Sequence, residues 1–123
     1  MDDKIFINSY DTSKKILTGT VKLTSVGKED SKTIFSLIEK GINENQAYSD
    51  YILDTRSVND VRLESFGYLM KALGVVKKTS GYMILVMKED ILQKFMITNP
   101  EMFDYYAVFF NMDDAIQFIL SKK

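Results

Sequence analysis

Residues Tyr51–Lys78 read YILDTRSVNDVRLESFGYLMKALGVVKK. Three apolar residues, Tyr51, Ile52 and Leu53, run into Asp54. A polar turn follows, and then Phe66, Leu69, Met70, Leu73 and Val76 recur at the spacing of one helix face. The stretch therefore predicts a strand, a turn and an amphipathic helix over roughly Val61–Lys78, the repeating unit of an α/β fold. Open α/β sheets place binding groups at the carboxyl ends of their strands, which is where Asp54 falls, although a structural role, accepting hydrogen bonds from loop amides, is the favoured reading of that carboxylate. Near the front of the helical pattern, Glu64-Ser65-Phe66-Gly67 sets a hydroxyl beside a glycine. A phosphate on such a serine would add charge where a partner docks, so the segment points to a regulated binding module.

The flanking sequence extends the same pattern. Lys4–Asn8 (KIFIN) and Lys15–Lys22 (KILTGTVK) predict two strands joined by a polar turn around Ser9–Ser13. In the second, Ile16, Thr18, Thr20 and Lys22 alternate with the more apolar Leu17, Gly19, Val21 and Leu23, as in an antiparallel pair at a sheet edge. Ser25–Ile42 predicts a helix whose inner face is Ile34, Phe35, Leu37, Ile38 and Ile42, ending at Gly41 or within Asn43–Asn45. Thr79-Ser80-Gly81 makes a turn. Tyr82–Met87 (YMILVM) is apolar throughout, as in a parallel strand covered on both faces.

A helix over about Glu89–Ile97 would point Ile91, Leu92, Phe95 and Met96 inward. Asn99-Pro100-Glu101 has the form of a cap with proline at the first helical position. Tyr105–Phe110 predicts a strand, and Asp113–Ser121 a closing helix with Asp113 and Asp114 at its positive end. The methionines read as core filler, and so do most rings of Phe103, Tyr105, Tyr106, Phe109 and Phe110. The order β-β-α-β-α-β-α-β-α predicts one domain over residues 1–123. Its sheet is mixed, mostly parallel and four- to five-stranded, with flanking helices, right-handed crossovers, and Tyr51–Asp54 and Tyr82–Met87 central.

Composition removes several functions. With 16 basic and 17 acidic residues the net charge is −1, and no basic stripe marks a nucleic-acid surface. Lys71, Lys77 and Lys78 fit the wet face and last turn of a helix. There is no cysteine and no histidine, hence no thiol nucleophile, zinc-thiolate site, imidazole base or Ser-His-Asp triad. Asp54, Asp60 and Glu64 follow no cation-loop spacing, and no glycine motif cradles a phosphate, so no metal and no cofactor are expected. The acidic start MDDKIFINSYD has no apolar run suited to a signal peptide or membrane span, which predicts a cytoplasmic protein without membrane insertion.

Several segments together resemble the STAS domain of bacterial anti-sigma-factor antagonists. Leu17-Thr18-Gly19 is similar to the strand entering that family's first loop, and Tyr51-Ile52-Leu53-Asp54 to its strand ending in Asp. Glu64-Ser65-Phe66-Gly67-Tyr68-Leu69 is similar to its Asp-Ser-Ser-Gly-Leu-Gly motif, with Glu64 for Asp, Phe66 for the second Ser and Leu69 for the second Gly. Gly81–Val86 resembles the next glycine and apolar strand, and Asp113-Asp114-Ala115-Ile116 the opening of the last helix.

The resemblance implies a non-enzymatic regulator of transcription. Its partner would be an anti-sigma factor that is also a serine kinase, acting indirectly on a sigma factor. Ser65 would carry the phosphate, with Ser57 and Thr55 as secondary candidates, and Asp54, Asp60, Glu64 and Gly67 would lie at the partner interface. Two other classes stay open: a STAS-like scaffold or transport-complex subunit without a phosphate switch, and a small enzyme or ligand carrier using Asp54, Tyr and Lys side chains.

Overall fold

The computed structural model describes residues 5–61, 81–98 and 107–122. Its elements are β1 (Phe6–Asp11), β2 (Ile16–Val21), β3 (Ser25–Val26), α1 (Lys28–Glu44), β4 (Asp50–Asp54), β5 (Asp60–Val61), β6 (Met83–Val86), α2 (Glu89–Thr98), β7 (Ala107–Phe109) and α3 (Met112–Ser121). Five strands form one sheet in the order β1-β2-β4-β6-β7, and β3 pairs with β5 beside it. β1 is antiparallel to β2, while β2, β4, β6 and β7 run parallel to one another. The predicted mixed, mostly parallel sheet is the observed one, with β4 at its centre.

Alternation along the strands builds two cores. Leu17 and Val21 of β2, Tyr51 and Leu53 of β4, and Met83 and Leu85 of β6 face α1, where Ile34 and Ile38 meet them. The intervening Ile16, Ile52, Ile84 and Val86 face α3 and pack on Ala115 and Ile119. Strands β4 and β6 are thus covered on both faces, which is why their sequences are apolar at every turn of the pleat. The Tyr51 ring reaches across β2 to Gly19, where a Cβ would collide with the Tyr51 hydroxyl and the Phe6 ring. Burial pushes the ionisation of that hydroxyl far above its ordinary value. Gly19 therefore lies inside β2, within the strand that Lys15–Lys22 predicts.

The edge hairpin is longer than its sequence pattern suggests. β1 continues to Asp11, which pairs with Ile16. The Asp11 carboxylate closes the turn, accepting from the Ser13 N–H at 3.0 Å, the Ser13 hydroxyl at 2.8 Å and the Lys14 N–H at 3.0 Å. These bonds, those to Lys14 and the Ser13 hydroxyl above all, hold its ionisation below the usual carboxylate range.

The first helix starts later than Ser25. Ser25 and Val26 are extended and pair with Asp60 and Val61. Gly27 then caps α1, its N–H donating to the Asp30 carboxylate at 3.1 Å. The same pairing puts Val61 in a strand instead of at a helix start, and makes Asp60 a strand residue. The rest of the Val61–Lys78 helix lies outside the described residues, as do Asn99-Pro100-Glu101, Phe103, Tyr105 and Tyr106.

Two further expectations are corrected. Met96 is 57% exposed, so α2 turns only Ile91, and in part Leu92, toward the core; the Phe95 side chain lies outside the description. Tyr82 is exposed and precedes β6, stacking edge-on against Phe118 with ring centroids 5.1 Å apart.

Leu85, 1% exposed between β4 and α1, tests the two-faced sheet. Leu85→Ala is expected to lower the free energy of unfolding in urea by about 2–5 kcal/mol. A loss too small to measure would contradict its place in the core.

Candidate functional site

The parallel strands bring the carboxyl ends of β2, β4, β6 and β7 to one edge of the sheet. The chain leaves β4 there through Thr55-Arg56-Ser57-Val58-Asn59 and enters β5. Each polar residue of this connection has a defined partner.

Asp54 ends β4 and is 5% exposed. One carboxylate oxygen accepts from the Arg56 backbone N–H at 3.1 Å and from Arg56 Nε at 3.0 Å. The other accepts from the guanidinium Nη2 at 2.9 Å. The planar guanidinium matches the carboxylate fork, and the pair neutralises a charge that burial would otherwise disfavour. The hydrogen bonds to Asp54, supported by its charge and that of Asp113, raise the Arg56 ionisation above its ordinary value. Arg56 itself stays 47% exposed. Asp54 is therefore committed to a structural ion pair, which takes it out of use as a general base or cation ligand.

The hydroxyls beside it are tied to backbone. Thr55 donates from its N–H at 2.7 Å and its hydroxyl at 2.9 Å to the Val86 carbonyl, lashing the end of β4 to β6. The Ser57 hydroxyl shares its one proton between the Val21 carbonyl at 2.6 Å and the Leu23 carbonyl at 2.9 Å, holding the loop against the end of β2. The N–H of Asn59 meets the Thr24 carbonyl at 2.7 Å, and Lys88, just after β6, donates to the Asn59 side-chain oxygen. Asp60 is exposed next to this network. Ser65, Glu64 and Gly67 lie outside the described residues, so the geometry joins Asp54, Thr55, Ser57 and Asp60 only.

Arg56 carries no motif of its own, although an arginine two residues after a strand-ending aspartate is a visible signal. Lys88 meets Asn59 across 29 positions, and nothing local announces that contact. Asp50, at the opposite end of β4, was also missed. It is 1% exposed and accepts from the Tyr82 N–H at 2.8 Å and the Ser49 hydroxyl at 2.7 Å. Gly81 fits beside it because a Cβ there would strike the Asp50 carboxylate and the Ser49 carbonyl.

This architecture matches the solved structure of the anti-sigma factor antagonist SpoIIAA in its unphosphorylated form, with a TM-score of 0.62 over 89% of this chain and 92% of that one. The fold is STAS-like. Sequence identity across the match is 11%, so the likeness is one of fold. No protein-family model matches the sequence, and no curated protein does. Within the STAS-like frame, the loop after β4 is the segment held by Asp54–Arg56, Thr55 and Ser57. Among the described residues no helix is long and apolar enough to cross a membrane.

The Ser57 hydroxyl separates a structural from a switching role. Ser57→Ala is expected to cost about 1–2 kcal/mol in urea unfolding, because the one donor that two carbonyls share is lost. Ser57→Asp is expected to cost more, since it sets an anion against the same two oxygens. Equal stabilities for wild type and both variants would show that the hydroxyl holds nothing.

Proposed function

We propose that this chain is a single-domain, non-enzymatic binding module of the anti-sigma-factor-antagonist kind, controlled by serine phosphorylation at Ser65. The fold shared with SpoIIAA is the observation that carries the proposal. The unmodified protein binds an anti-sigma factor that is also a serine kinase, which frees a sigma factor for transcription in the bacterial cytoplasm. Phosphorylation by that kinase then ends the binding.

The hydroxyls nearby support Ser65 over its alternatives. Thr55 and Ser57 donate to backbone carbonyls that join β4 to β6 and β2. A phosphoryl group has acceptor oxygens and would break these joints instead of acting at a surface. The interface proposed around Asp54, Asp60, Glu64 and Gly67 begins at the described edge, where Arg56 and Asp54 cancel and Asp60 leaves negative charge exposed. A phosphoserine carries roughly −1.5 to −2 charges, so desolvating it beside these acids weakens docking.

Isothermal titration calorimetry with a purified anti-sigma serine kinase tests the reading. Wild type and Ser65→Ala are expected to bind alike. Ser65→Asp is expected to bind at least about tenfold more weakly while its melting temperature stays within a few degrees of wild type. After incubation with ATP, wild type should lose its binding and Ser65→Ala should keep it. If all three proteins bind and dissociate alike, the module works without a phosphate switch, as a scaffold or transport-complex subunit would.

A further inference from the structure

We propose that the groove between the start of α2 and the end of β7 docks a short basic segment of a partner protein, one in which a lysine or arginine lies next to an apolar residue. This goes beyond the Ser65 switch and uses none of its residues. Met87, Lys88, Glu89, Asp90, Gln93 and Phe110 line the groove. Met87 is buried and forms its floor, its N–H donating to the Phe109 carbonyl at 3.1 Å. Phe110 stands at the rim, 50% exposed. An aromatic ring left half in water beside a groove is an anchor for an apolar side chain or for the stem of a long cationic one.

Charge decides which kind of partner fits. Both α2 and α3 begin at this edge, and a helix start ordinarily attracts an anion. Here Glu89 and Asp90 already occupy the first turn of α2, and Asp113 and Asp114 that of α3. The Asp114 N–H is in addition taken by the Asn111 side chain at 2.8 Å. All four carboxylates are exposed. Among the described residues, Lys88 stands beside these acids with its charge intact, since the Asn59 amide that it meets is neutral, while Arg56 is paired with Asp54. A nucleotide or phosphopeptide would face Glu89 and Asp90 at the groove and Asp113 and Asp114 at the start of α3, whereas a lysine or arginine would gain from their charge and could lie over the Phe110 ring.

The experiment is fluorescence anisotropy with a labelled, amidated hexapeptide, Lys-Arg-Leu-Phe-Arg-Lys, against the same peptide with glutamate at every basic position. The basic peptide is expected to bind and to weaken with added salt, and the acidic one not to bind. Glu89→Lys with Asp90→Lys is expected to raise the Kd about tenfold or more, and Phe110→Ala several-fold. Glu39→Lys with Glu44→Lys, exposed on α1 away from the groove, should leave it unchanged. No binding of the basic peptide, or equal binding of the acidic one, would overturn the proposal. So would equal weakening by the α1 pair, which would reduce the attraction to overall charge.

Discussion

The structure depends on β4 being buried along its whole length. From Asp50 to Asp54 no residue reaches solvent appreciably, because α1 covers one face of the strand and α3 the other. Such a strand must be apolar in its middle and must hydrogen-bond every polar group at its ends. Its two carboxylates meet that demand locally. Asp50 takes the Tyr82 N–H and the Ser49 hydroxyl, which fixes where β6 begins. Asp54 takes the Arg56 guanidinium, which fixes how the chain leaves the sheet. The strand thus sets both the core and the geometry of the edge where function is proposed.

That edge is held more rigidly than a polar connection of its length suggests. Thr55 binds it to β6, Ser57 to the end of β2, and the N–H of Asn59 to Thr24. The small β3–β5 pair continues the restraint. A surface fixed in this way does not have to be ordered when a partner arrives, which lowers the entropic cost of docking. Hydroxyls used as ties cannot also be switches without loosening the edge they hold.

Much of the fold was legible because apolar periodicity reports burial directly. Tyr51–Asp54 and Tyr82–Met87 read as central strands from their apolar runs, and Ile34 and Ile38 mark the buried face of α1. What failed was decided by partners distant in sequence. Ser25 and Val26 continue into a helical pattern, yet they pair with Asp60 and Val61 and are drawn out of the helix. Met96 lies at a helical spacing from Ile91 and Leu92, but α2 meets the core mainly through Ile91. At the candidate site, Asp54 was legible as the end of a strand. Its ion pair with Arg56 and the ties made by Ser57 were not, because periodicity says nothing about which donor a carbonyl or carboxylate will find.

The central claim is that this STAS-like domain is switched at Ser65 while the neighbouring hydroxyls serve the fold. Tandem mass spectrometry of the full chain, incubated with an anti-sigma serine kinase and ATP, addresses it most directly. The account predicts one phosphate, on Ser65. Phosphate on Ser57 or Thr55, or none at all, would contradict it.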